Sequence, residues 1–192
     1  MLVAGGDLAM PPESQVLRTA IRRYLALRHI GYDDISRLII GLFQSSVNFD
    51  LWQISLQPVY RTVLEIPPQE RSLAKIIDEI YLHYAAERFP EAKLWGDKSP
   101  INTLHLPLIY GAFPEARYLH LVRDGRDAIA SMVERGRSIE AATKRWKTSV
   151  QQVLKLQPRL GDDQLLEARY EDLVSDPVQT LRRICSFIGI DY

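Results

Sequence analysis

At 192 residues the chain is long enough for one ordinary domain with a real core, and short for two. Its 46% apolar and 25% charged residues sit at globular norms, which excludes a disordered or fibrous protein. The 24 Lys and Arg balance the 24 Asp and Glu, so the overall charge gives no support to non-specific binding of nucleic acid or an anionic membrane. The single cysteine, Cys185, excludes an intrachain disulfide and a multi-cysteine zinc site, and it reads as a small core residue. No apolar run approaches a membrane span and no signal-peptide core is present, so a soluble protein of the reducing cytoplasm is expected.

The start, Met1-Leu2-Val3-Ala4-Gly5-Gly6, resembles neither a folded strand nor a targeting segment. From Gln15 to about Leu27, Val16, Leu17, Ala20, Ile21, Tyr24 and Leu25 fall at helical spacing. Gly31 breaks that run, and Asp33 or Asp34 is expected to cap a second helix through Ile35, Leu38, Ile39 and Leu42. Residues 48–69 carry Pro58, Pro67 and Pro68 among several aromatics and read as a short helix with loops. Gln69 to Phe89 is strongly amphipathic, with Leu73, Ile76, Ile77, Ile80, Tyr81 and Tyr84 in one stripe ended by Pro90.

A short strand is expected at Lys93–Trp95, then the polar elbow Gly96-Asp97-Lys98-Ser99-Pro100, then a helix from Asn102 to Ala112. Ala116 to Val122 is an apolar run suited to a buried parallel strand, turned by Arg123-Asp124-Gly125 into a helix through Ile129, Met132 and Val133. A helix near 139–157 and a strand near Leu165–Arg169 come next. Asp176 as cap and Pro177 at the first position open a last helix. Short strands alternating with helices predict an α/β protein, a parallel sheet covered on both faces. Ligands of such sheets bind beyond the carboxyl ends of the strands, which directs attention to Arg123 and Tyr170.

Arg123 stands where a strand ends, and Ser131 and Arg135 lie four apart on the following helix. Two guanidinium groups and a hydroxyl suit a phosphate dianion. From 117 to 147, eight Lys and Arg stand against four Asp and Glu, so the stretch is basic within a neutral chain. A capped helix with solvated charges and Asp–Arg pairs is the plainer alternative. The four histidines show no metal-ligand spacing.

The segment Phe113-Pro114-Glu115-Ala116-Arg117-Tyr118-Leu119-His120-Leu121-Val122-Arg123-Asp124-Gly125-Arg126-Asp127-Ala128-Ile129-Ala130-Ser131 resembles the 3′-phosphate-binding segment of sulfotransferases that use 3′-phosphoadenosine 5′-phosphosulfate (PAPS). The resemblance implies that Arg123 and Ser131 hold the 3′-phosphate of that co-substrate, with Arg135 added as in the tyrosylprotein and bacterial branch. Arg169-Tyr170-Glu171-Asp172-Leu173 and Ala142-Thr143-Lys144-Arg145-Trp146 resemble two further family segments, whose Tyr and Trp lie at the nucleoside; Tyr170 and Trp146 match them. The matching order runs from about Leu8 onward and implies a P-loop-NTPase-like parallel sheet flanked by helices.

The resemblance gives Lys98 the role of the cation at the bridging oxygen as the sulfur–oxygen bond breaks. A solvated turn lysine paired with Asp97 is the alternative. It gives Glu13, in Pro11-Pro12-Glu13-Ser14, the role of the base that takes the acceptor's proton, where the plain alternative is a carboxylate in a helix's first turn. The implied reaction is sulfuryl transfer from PAPS to an acceptor hydroxyl or amine, on a small-molecule, peptide or carbohydrate acceptor, without metal. Nothing in the sequence argues against a homo-oligomer.

One family segment has no counterpart. The Gly/Pro-Arg-Ser-Gly-Thr-Thr loop embraces the 5′-phosphosulfate with backbone N–H groups, whereas Ala4-Gly5-Gly6-Asp7 is followed by no basic or hydroxyl residue. Residues 1–192 therefore read as a single sulfotransferase-like domain cut at both ends, with its first strand and phosphosulfate loop upstream of Met1. Turnover by this chain is doubtful on that ground, and a non-catalytic 3′-phosphoadenosine-binding protein of the same fold is the alternative. A P-loop kinase relative is disfavoured by the absence of any Gly-Lys-Ser/Thr motif.

Overall fold

The computed structural model describes residues 6–192; Met1 to Gly5, including the start of the Ala4-Gly5-Gly6-Asp7 segment, lie outside the described residues. Two compact units emerge, one of residues up to Asn102 together with Leu108–Phe113, the other of Thr103–Pro107 and Pro114–Tyr192.

The first unit is mostly helical: α1 (Leu17–Ala26), α2 (Tyr32–Gln44), α3 (Gln57–Glu65) and α4 (Leu73–Arg88). Its strands are β1 (Leu8–Ala9) and β2 (Leu94–Trp95), paired in parallel with Leu8 opposite Leu94 and Ala9 opposite Trp95. The stripe expected on α4 is its buried face, and Ser72 caps the helix by accepting from the Lys75 N–H. Gly31, in extended conformation, is the residue before α2, while Asp33 and Asp34 sit in the first turn without capping it. Their charge still suits the positive end of the helix. The short β1 went unrecognised because two residues carry no periodicity.

Aromatic packing forms the centre of this unit. Phe43, Trp52 and Tyr81 are fully buried. Trp52 lies 6.1 Å from Phe43, 5.6 Å from Tyr81 and 5.2 Å from Tyr84, centroid to centroid, in edge or tilted geometry. Tyr81 in turn stacks on Trp95 at 4.3 Å. The aromatics of residues 31–60 thus divide by burial. Phe43 and Trp52 are core, whereas Tyr60 donates to Asp33 under the Arg37 guanidinium, and Tyr32 lies beneath Arg71.

In the second unit β3 (Tyr118–Val122) pairs in parallel with β4 (Leu165–Arg169), from Tyr118 opposite Leu165 to Val122 opposite Arg169. Helices α6 (Gly125–Glu134) and α7 (Ile139–Leu156) connect the two strands, and α8 (Tyr170–Ser175) and α9 (Pro177–Ile188) come after β4; α5 (Leu106–Ala112), before β3 in the chain, divides between the units, with Leu108–Ala112 in the first. Asp176 caps α9 by accepting from the Gln179 N–H, with Pro177 at its first position, as the sequence predicts. Gly189 ends α9 with φ of 82°, a left-handed cap that suits glycine. Cys185 is buried.

Two expectations change. The described strands pair in parallel, as expected, but in two two-stranded ladders. β3 is only half-buried, with Leu121 48% exposed. Tyr170 opens α8 instead of ending β4. Among the described residues no helix is long and apolar enough to cross a membrane.

Trp52 joins the core by four ring contacts and donates its indole N–H to the Pro12 carbonyl at 2.9 Å. Trp52→Ala is expected to lower the unfolding free energy by about 3–5 kcal/mol, through cavity formation and the orphaned carbonyl. Urea denaturation followed by circular dichroism checks this, and a loss below about 1 kcal/mol would contradict it.

Candidate active site

Parallel pairing sends the chain out of β1 and β2 at the same end of the ladder. Gly96 N–H extends the pairing by donating to the Ala9 carbonyl at 2.9 Å. Glu13 follows β1 by four residues and Lys98 follows β2 by three, so both side chains arise beyond the carboxyl ends of the strands. There the Lys98 ammonium donates to Glu13 Oε1.

The Glu13 backbone is held from one turn of chain. Asn48 Nδ2 donates to the Glu13 carbonyl at 2.8 Å, beside the Trp52 bond to Pro12. Gln15, with φ of 56°, then turns the chain into α1. This left-handed conformation is uncommon for a residue with a side chain and is kept only where the surroundings fix it. Glu13 precedes α1 by four residues, so the alternative of a first-turn carboxylate does not hold.

Lys98 is likewise not the partner of Asp97. The Asp97 oxygens are taken by the Tyr81 hydroxyl, at 2.6 Å, and by the Asn102 amide. Burial pushes the Asp97 carboxyl above its ordinary range, against the lowering effect of these two donors. Burial also pushes the Tyr81 phenol well up, with the neighbouring Asp97 charge acting the same way.

At the second ladder Arg123 follows Val122 and Tyr170 follows Arg169, a registered pair, so the two side chains emerge together. The Arg123 guanidinium lies over the Tyr170 ring, 5.0 Å from its centroid, and 3.9 Å from Asp127 Oδ2. Its backbone carbonyl accepts the Trp146 indole N–H at 3.1 Å. The Trp146 ring presses on Gly125 so closely that a Cβ there would meet it at 3.1 Å. Ser131 lies on α6 and Arg135 closes it, one turn apart.

The turn between Arg123 and α6 is braced twice. Asp124 N–H donates to Glu171 Oε1 at 2.8 Å, and the Asp124 carboxylate caps α6 through the Arg126 N–H while pairing with its guanidinium. Those Arg126 bonds lower the Asp124 carboxyl to about 2, and the Asp124 N–H lowers Glu171. Thus much of Arg-Asp-Gly-Arg-Asp is a capped, braced turn that presents Arg123. The sequence reading missed Asn48, Trp52, Tyr81 and Glu171; only Glu171, inside the Tyr-Glu-Asp-Leu segment, carried a signal. Among the described residues no group of three or more His, Cys, Asp or Glu side chains is placed to hold a metal ion.

A sequence model of the sulfotransferase family matches residues 15–192. The chain belongs to the sulfotransferase family. It is 29% identical over 105 residues to protein-tyrosine sulfotransferase A of Caenorhabditis elegans, half of this chain and 27% of that protein. It is 27% identical over 120 residues to protein-tyrosine sulfotransferase 2 of Gallus gallus, 58% of this chain and 32% of that one. The matched stretches thus make up about a third of these relatives. All of this chain superposes on 67% of the sulfotransferase domain from the Synechococcus PCC 7002 olefin synthase, with a TM-score of 0.62 and 27% identity. At 19% identity and a TM-score of 0.60, the sulfotransferase domain of the curacin biosynthetic pathway shares the fold. The chain therefore has the α/β sulfotransferase fold, with its strands in parallel pairs.

Two expectations concern the braced turn. Gly125→Ala is expected to cost about 1–2 kcal/mol net, because the indole is anchored at Arg123 and cannot withdraw from the added methyl. Urea denaturation measures it, and an unchanged or raised midpoint would contradict the close packing. Asp124 and Glu171 are both lowered in the fold, so their stabilisation is present above the ordinary carboxylate range. It is lost as pH falls from about 4 towards about 2. Asp124→Asn should therefore flatten the acid limb of stability against pH, while an unaltered limb would count against the cap.

Proposed function

We propose that this chain transfers a sulfuryl group from PAPS to an acceptor hydroxyl or amine. The observation that carries the proposal is the meeting of Glu13 and Lys98 beyond a parallel strand pair, although 85 positions separate them. The reaction needs a base for the acceptor's proton and a cation for the leaving group, and this pair supplies both chemistries.

The acceptor oxygen attacks sulfur in line, its proton passes to the Glu13 carboxylate, and the bond from sulfur to the bridging oxygen breaks. The electron pair stays on that oxygen, where Lys98 offsets the charge, and adenosine 3′,5′-bisphosphate leaves. The Lys98 ammonium and the Glu13 carboxylate pair with each other before substrate enters. Arg123, Ser131 and Arg135 take the 3′-phosphate in this reading, with Arg123 supplying a planar, bidentate donor. Tyr170 and Trp146 lie at the nucleoside. The family membership and the basic character of residues 117–147 support the donor assignment.

Calorimetric titration with adenosine 3′,5′-bisphosphate and an assay for sulfated product test the reading together. Arg123→Ala is expected to weaken bisphosphate binding by about 2 kcal/mol, roughly 30-fold, as a charge-assisted contact is lost. Glu13→Gln is expected to lower turnover by about a hundredfold while leaving that affinity nearly intact. Binding without any transfer would instead favour a non-catalytic 3′-phosphoadenosine-binding protein. Unchanged affinity in Arg123→Ala would remove Arg123 from the site.

A further inference from the structure

We propose that Asp97 is a positioning residue: a half-buried carboxylate, clamped by Tyr81 and Asn102, that fixes the turn from which Lys98 reaches Glu13. The inference rests on the reading of Lys98 as the leaving-group cation for its catalytic meaning, and on geometry for the rest.

Lys98 is the more exposed member of the pair. Its side chain is 65% exposed against 28% for Glu13, and it carries four rotatable bonds whose freedom opposes any fixed contact. Its backbone must therefore be held for the ammonium to meet one carboxylate reproducibly. Asp97 is the adjacent residue, and its two oxygens bind in different directions. Oδ2 accepts from Tyr81 on α4, whose ring is fully buried between Phe43, Trp52 and Trp95. Oδ1 accepts from Asn102, on the far side of the elbow, and Asn102 N–H closes the same turn on the Ser99 carbonyl at 2.9 Å. Lys98 is thus the residue between two pinned points.

The site has a second brace of the same kind. Trp95, which stacks on Tyr81, donates its indole N–H to Asp78 Oδ1 at 2.7 Å, tying β2 to α4 just before the elbow. A carboxylate at 97 carries a cost, because burial disfavours its charged form, and the nearby Glu13 charge adds to that. An apolar residue there would avoid the cost but could not grip both donors. Asparagine could keep both contacts, accepting from Tyr81 with its oxygen while Asn102 turns its own amide oxygen to the new NH2.

The test measures the pairing itself. Trinitrobenzenesulfonate modification of Lys98, followed by peptide mass spectrometry on the folded chain, reads how far Glu13 protects the amine. Glu13→Gln is expected to speed modification about threefold in the parent background. The same acceleration should persist in Asp97→Asn and disappear in Asp97→Ala. Should Asp97→Ala fail to fold, Tyr81→Phe removes one hydroxyl and is expected to reduce the acceleration to less than half. A full acceleration in whichever of Asp97→Ala and Tyr81→Phe is folded would overturn the proposal, as would its loss in Asp97→Asn. Sulfuryl transfer assayed on the same proteins reports separately. Glu13-dependent protection lost in Asp97→Ala, with no transfer by the parent chain, would sink the proposed reaction and leave the positioning role standing.

Discussion

Parallel pairing of two residues, Leu8 with Leu94 and Ala9 with Trp95, is the constraint on which the meeting of Glu13 and Lys98 depends. An antiparallel arrangement would send the two following segments to opposite ends, leaving Glu13 and Lys98 apart. Because the strands run together, a short loop from each suffices to join a carboxylate to an ammonium across 85 positions of sequence. The ladder is too short to hold itself, and the aromatic core below it supplies the rigidity. Tyr81 belongs to both, stacking in the core through its ring and reaching the elbow through its hydroxyl.

The second ladder repeats the logic with other side chains. Val122 opposite Arg169 fixes Arg123 beside Tyr170, and the guanidinium lies over the ring. The turn after Arg123 is stabilised from three sides: Trp146 on the Arg123 carbonyl, Glu171 on the Asp124 N–H, and Asp124 on the first turn of α6. In the proposed reading, where Arg123 binds phosphate, such a frame matters because a bidentate contact loses its value when the backbone beneath it moves. Asp124 and Gly125 thus serve the frame.

Much of this was legible in the sequence where a pattern repeats. The α4 stripe, the Asp176–Pro177 helix start and the strands at 118–122 and 165–169 derive from periodicity and capping chemistry. Arg123 was legible as a candidate because it ends a strand, whereas Glu13 and Lys98 were candidates through the family resemblance. Their partners were not legible. Lys98 turned to Glu13 instead of its neighbour Asp97, whose two oxygens accept from Tyr81 and Asn102. Asn48 and Trp52 act on the Glu13 segment through hydrogen bonds to backbone carbonyls, which leave no mark on residue type. The two-residue β1 is below the length at which alternation can be read. Long-range pairing decides these features, and a single sequence encodes it only weakly.

Joined across the first ladder, Glu13 and Lys98 would act as one unit in sulfuryl transfer. A double-mutant cycle on the transfer rate, using Glu13→Gln, Lys98→Met and the combined variant, tests that most directly. The predicted result is strong non-additivity, with the combined variant about as slow as the slower single one. Independent losses that multiply in the combined variant would contradict it.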